Sequence, residues 1–291
     1  MVPCCCTGET VSNGCTPATS RSGGWIVPEI LLLDLGSTSL KWQTRSGAGL
    51  VLDTGRHDWA VSGAAPELPQ CQPQAVWMVR VGAAEREEIL RAALRARYGG
   101  VPVVSVRPRA DGPGGLRLDY DLQQFGADRY CALLGVVART RKPAVVVDAG
   151  TAVTVDLLAA DGRHLGGYIL PGLRGGLAAV SRLFPDALQA QVAPTLRQAV
   201  ESLPVDSGIS PGHDTGEALL RGWVLGLAGA VQRVGAQAAE TEEGVEWWLT
   251  GGDAGWLSSL LDRPVHLVPG LVFDGLWCHL RPRRGDGGTL P

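Results

Sequence analysis

The chain has 291 residues, with 26 Lys and Arg against 29 Asp and Glu, and 45% of it is hydrophobic. The net charge of −3 and the pI near 6.0 argue against a nucleic-acid partner, which calls for a basic surface. No uninterrupted apolar run reaches the roughly 18 residues of a membrane helix, and the length suits one large domain or two small ones around a sizeable core.

Seven cysteines are present. Cys4, Cys5, Cys6 and Cys15 crowd the start, and Cys71, Cys131 and Cys278 are scattered in apolar surroundings. No CxxC pair supports a zinc or redox site, and the last three are expected to be reduced thiols of a cytoplasmic protein. Residues 1–28 are rich in Gly, Ser, Thr, Cys and Pro and lack both periodicity and the apolar stretch of a signal peptide. They read as a disordered extension, and residues 283–291 as a tail.

From Glu29 onward the pattern is mixed α/β. "ILLLDLG" reads as a strand running into a turn, and "SLKWQT" (39–44) as its hairpin partner. "AVWMVRVG" (75–82) and "VPVVSV" (101–106) are further strands, separated by an amphipathic helix over 83–100 that closes on glycine. "ADRYCALLGVVART" (127–140) is helical. "AVVVDAGTAVTVDLL" (144–158) supplies two strands and "GRHLGGYILPG" (162–172) a third. A long helix is expected over roughly 216–239. Strand, glycine turn and helix follow in "VEWWLTGGDAGWLSSLL" (245–261), and a strand with a closing helix in "VHLVPGLVFDGLWCHL" (265–280).

Two segments share one frame. "LLLDLGSTSLKWQT" (31–44) and "VVVDAGTAVTVDLL" (145–158) both run from three apolar residues through Asp-x-Gly-Ser/Thr into a second strand. A repeat at this distance suggests two similarly folded halves, 29–141 and 142–282. An acid ending a buried strand is costly unless it meets cations or donors. The glycine lets a ligand approach the backbone, and the Ser or Thr adds a hydroxyl and an N–H. Alone, each Asp-x-Gly is an ordinary tight turn. As a facing pair, the two would grip a nucleoside triphosphate and its Mg²⁺. Lys41 could reach a phosphate as a point charge or simply be an exposed lysine. In "FGADRY" (125–130), Asp128 reads equally as an acid favoured by the helix dipole or as a general base, with Arg129 gripping a substrate carboxylate. "LTGGDA" (249–254) is a weak backbone-approach motif.

Taken together, "DLGSTSLK" (34–41), "GADR" (126–129), "DAGTAVT" (148–154), "GGYILPG" (166–172), "TGGDA" (250–254) and "PGLVFDGL" (269–276) resemble the type III pantothenate kinases of the actin/Hsp70/sugar-kinase superfamily. The match is in order from Asp34 to Leu276. The resemblance implies two actin-like, ribonuclease H-like halves with a nucleotide cleft between them. It implies ATP-dependent phosphorylation of pantothenate at its primary hydroxyl, towards coenzyme A. By position, Asp34, Leu35, Gly36, Ser37, Thr38, Ser39, Leu40 and Lys41 would bind the ATP phosphates, with Asp34 near Mg²⁺ and Thr151 also touching ATP. Asp128 would be the base. Gly126, Ala127, Asp128 and Arg129 would line the pantothenate site, together with Tyr120 and Thr215. Asp148 would hold a monovalent cation, potassium or ammonium. A homodimer is implied as well. The chain departs from the family pattern at Ser37, where the family has asparagine, and at Leu122, where it has proline. Another kinase of the superfamily and a non-catalytic, nucleotide-binding accessory protein are the rival readings. "GADR" disfavours the first and the intact Asp34, Asp128 and Asp148 the second.

Overall fold

Strands covered on both faces read as continuous apolar runs, and "ILLL" at 30–33 is such a run. The computed structural model describes residues 29–59, 65–81, 83–186, 188–190, 192 and 209–280. The expected extension 1–28 and tail 283–291 lie outside the described residues. Strand β1 (Glu29–Leu35) pairs antiparallel with β2 (Ser39–Ser46) and parallel with β4 (Pro73–Arg80). β3 (Val51–Asp58) and β5 (Val103–Ser105) complete a sheet of order β3-β2-β1-β4-β5.

The second sheet repeats this plan. β6 (Ala144–Ala149) pairs antiparallel with β7 (Ala152–Leu158) and parallel with β9 (Glu246–Thr250). β8 (His164–Pro171) and β10 (His266–Leu267) lie at the edges, giving β8-β7-β6-β9-β10. The two sheets share strand order and strand directions, so the chain consists of two actin-like, ribonuclease H-like halves.

Helices fill the space between and outside the sheets. α2 (Ala127–Val137) and α6 (Leu271–Leu280) pack between them, joined in one core with Ile30 and Leu32 of β1 and Ala144 and Val146 of β6. The opposite face of β1, through Leu31, Leu33 and Leu35, packs on Leu90 and Leu94 of α1 (Ala84–Tyr98). The opposite face of β6, through Val145 and Val147, packs with α3 (Leu173–Ser181), α4 (Thr215–Thr241) and α5 (Ala254–Ser259). The layers are therefore helix, sheet, helix, sheet, helix. Alternation along a strand assigns the even-numbered residues of β1 and β6 to the central layer. Asp34 and Asp148 are both even-numbered.

Two elements carry too little apolar signal to be read from sequence. β3 is an exposed edge strand, "VLDTGRHD", interrupted by Gly55. Gly55 lies opposite Trp42, whose indole occupies the space a side chain would need. α3 contains Gly175 and Gly176 in its first half, and paired glycines argue against a helix.

The central layer depends on close helix contact. A methyl group added at Gly275 of α6 would fall 1.7 Å from the Cys131 carbonyl oxygen of α2. That atom is backbone, so the helices must separate. Gly275→Ala is therefore expected to destabilise by about 3 kcal/mol, the upper range for overpacking, seen as a lower urea midpoint. Gly255→Ala on α5, where nothing lies within 4 Å, should change stability by less than about 1 kcal/mol.

Candidate active site

The site forms where the two Asp-x-Gly hairpins meet. Each turn closes on itself: the Gly36 N–H donates to the Ser39 carbonyl at 3.0 Å, and the Gly150 N–H to the Ala152 carbonyl at 3.0 Å. The hydroxyls beyond the glycines touch across the junction, Thr38 Oγ1 to Thr151 Oγ1 at 2.9 Å. One hydrogen bond thus ties turns that lie 113 residues apart. Ser37, Thr38 and Thr151 are exposed at this edge.

Three aspartates converge behind the turns. Asp34 is the next-to-last residue of β1 and lies 3.8 Å from Lys41 Nζ, its cross-strand neighbour on β2. Burial lifts the Asp34 carboxyl to about 6; Lys41 opposes this and Asp128 adds to it. Asp148 ends β6 and is lifted to about 7, chiefly by burial and then by Asp128, with Lys41 again opposing. Asp128 lies in the first turn of α2. Burial raises it too, against the pull of the Arg129 N–H donated to its Oδ1 at 2.8 Å. The three carboxylates therefore feel one another, and Lys41 acts on both strand-end acids. Gly251 of the "TGGDA" turn, at φ +96, lies against the Asp148 carboxylate, where a side chain would clash.

Other residues named from the sequence fall in different places. Leu35 and Leu40 are fully buried in the core beside α1, and Ser39 is also buried. Their side chains are therefore not presented at the junction, and the Leu35 and Ser39 carbonyls already accept from Val81 and Gly36. Ala127 is buried at the start of α2. Tyr120 is exposed, with its ring 5.0 Å edge-on from Phe125 and the Arg129 guanidinium 5.6 Å away. Thr215 opens α4, where Asp214 caps the helix by accepting the Glu217 N–H at 2.8 Å. That helix packs on α3, β6 and β7.

Arg129 differs most from expectation. It is buried, and Asp156 of β7 already holds its side-on edge: Nε donates at 3.0 Å and Nη2 at 2.5 Å. That leaves only the end-on edge of the guanidinium outside the Asp156 pair, not the whole fork. His164 Nε2 lies 2.7 Å from the same Asp156 carboxylate. Burial alone would lift Asp156, but the bonds from His164 and Arg129 outweigh it and hold the carboxyl below its ordinary value. Sequence reading missed Asp156 and His164. The argument applied to Asp148, an acid inside a buried strand, applies equally to Asp156 in "VTVDLL".

Asp253 follows the glycine turn, and burial raises its carboxyl, while Trp256, Arg174, Arg56 and Lys41 pull it down. Among the described residues, no three His, Cys, Asp or Glu side chains gather closely enough to hold a metal ion by themselves. No helix among them is long and apolar enough to cross a membrane.

The repeated fold places the chain in the actin-like class of two-halved proteins. The family model for type III pantothenate kinase matches residues 30–237. A type III pantothenate kinase of Ectopseudomonas mendocina is 36% identical over 257 residues, covering 85% of this chain and 97% of that protein. One of Halorhodospira halophila is 34% identical over 268 residues, covering 87% and 99%. A Baf family protein of Campylobacter jejuni, of solved structure, shares the fold with a TM-score of 0.53 at 21% identity, over 85% of this chain and 95% of that one. The chain belongs to the type III pantothenate kinase family.

The raised acids make the ligand-free protein sensitive to pH. In the folded chain Asp34 and Asp148 titrate near 6 and 7, and unfolded near 3.8. Between about pH 4 and 7 the folded state therefore holds more protons, and stability falls as pH rises through that window. Asp148→Asn removes one such penalty. It should stabilise the ligand-free protein by about 1–2 kcal/mol at pH 8 and hardly at all at pH 4, read by thermal unfolding at both values.

Proposed function

We propose that this chain transfers the γ-phosphoryl group of ATP to the primary hydroxyl of pantothenate, a step of coenzyme A synthesis. The observation that carries this reading is the convergence of Asp34, Asp128 and Asp148 with Lys41 behind the joined turns, in a chain of the type III pantothenate kinase family.

The division of labour follows from environment. Phosphoryl transfer needs positioning and charge neutralisation more than covalent chemistry by the protein. The turn residues Gly36 to Thr38, with Lys41 and Thr151, face the phosphates. Asp128 is the general base: its raised carboxyl is suited to taking a proton, and it sits on a rigid helix. The pantothenate hydroxyl oxygen attacks the γ-phosphorus, the bond from that phosphorus to the β-bridging oxygen breaks, ADP leaves, and the hydroxyl proton passes to Asp128. Gly126 to Arg129 and Tyr120 hold the acceptor. Thr215 belongs to the same reading, contributed from α4.

Asp34 and Asp148, with Lys41 acting on both and Asp128 adding its own charge, leave negative charge in excess, and carboxylate oxygens suit hard cations once substrate phosphates complete the donor set. Mg²⁺ characteristically takes one or two carboxylates together with substrate phosphates. Asp34 would hold it, and Asp148 would hold potassium or ammonium. When bound, the two ions supply neutralisation of the phosphate charge. A cytoplasmic homodimer completes the reading, supported by exposed Leu225 on α4 and Tyr168 and Ile169 on β8.

The test is a coupled ADP-release assay with pantothenate, with and without potassium. Turnover is expected to need ATP, Mg²⁺ and the monovalent cation. Asp128→Asn should cut kcat by about 10²–10⁴-fold, the usual worth of a general base, with ATP affinity retained in calorimetry. Near-normal kcat in Asp128→Asn would remove it as the base.

A further inference from the structure

The "GGYILPG" motif and the Asp156–His164 pair have no part in the chemistry above, and the structure connects them. Asp156 and Gly167 are cross-strand partners on β7 and β8. A methyl group added at Gly167 would fall 2.5 Å from Asp156 Oδ1 and 2.8 Å from Arg129 Nη2. The absent side chain is the space in which guanidinium and carboxylate meet. Arg129, Asp156 and His164 are each at most 5% exposed. Around them, Phe125 lies 4.5 Å from the guanidinium and 5.2 Å edge-on from the His164 ring.

A buried guanidinium held along one edge by two bonds has a single orientation. A carboxylate that also bonds a buried histidine cannot swing away from it. We infer that Asp156, braced by His164 and admitted by Gly167, is a positioning residue that fixes Arg129 so that its end-on edge serves the acceptor site beside Asp128. The pair is internally neutralised, so its contribution to the acceptor is directional hydrogen bonding rather than a free positive charge. Removing Asp156 releases the orientation and leaves a buried cation without its partner. The inference rests on the reading of Gly126 to Arg129 as the acceptor site.

Two variants and two readouts test it. Asp156→Asn keeps the shape and loses the charge. Gly167→Ala keeps every charge and fills the space, its methyl also falling 2.8 Å from the Val155 carbonyl oxygen, and it reports independently of Asp156→Asn. In both, the KM for pantothenate should rise about tenfold or more while the KM for ATP stays within about twofold. The second readout needs no substrate. The Arg129 Nε–H resonance, assigned by its loss in Arg129→Lys, should be protected from exchange in the native protein and lose protection in each variant. An unchanged resonance in the variants overturns the positioning role, and so does a parallel rise of both KM values. If the native protein does not phosphorylate pantothenate, the acceptor reading fails, while the resonance still decides whether Asp156 fixes Arg129.

Discussion

An aspartate at the end of a strand buried on both faces is expensive, and this fold carries one at the same place in each half. Asp34 and Asp148 project from the faces of β1 and β6 that look onto the shared central layer. Residues two and four positions earlier on those strands are ordinary core: Leu32 and Ile30, Val146 and Ala144. The carboxyls respond by rising well above their usual range. An arrangement that resists ionisation in this way is stabilised by cations, and the site is built around that constraint. Lys41 meets part of it from within the chain.

Asp156 shows that the constraint comes from neighbours and not from residue type. It lies on the strand next to that of Asp148, on the same face, and is the more deeply buried. Its carboxylate meets both Arg129 and His164, and its pKa falls instead of rising. One acid is bound on two sides and holds geometry, and the others, with weaker partners, are raised by burial. Arg129 thereby joins the start of α2 to the strands of the second half.

The central layer makes this possible. α2 carries Asp128 and Arg129 at its start, and α6 presses on it through Gly275. α6 comes from the end of the chain and reaches the core of the first half as well. The halves therefore share a middle, and the two turns they present are held at hydrogen-bonding distance through Thr38 and Thr151.

Most of the strands and helices follow from local pattern, because apolar periodicity and glycine punctuation act over a few residues. The Asp-x-Gly repeat announced two equivalent halves and both strand-end acids, since the cost of a buried carboxylate is visible wherever an acid interrupts an apolar run. β3 and α3 escaped because an exposed edge strand and a glycine-paired helix draw their stability from neighbours such as Trp42. Leu35 and Leu40 lie inside the first Asp-x-Gly motif, yet strand alternation turns them into the core. Arg129 is the sharpest case. Its sequence neighbourhood shows an acid and a base at a helix start, but not which carboxylate the guanidinium meets. Asp156 lies 27 residues away, and an ion pair is decided by distance in space. The sequence by itself determined the strands, the turns and the acids that need partners. Only the tertiary structure decided which acids had already found them.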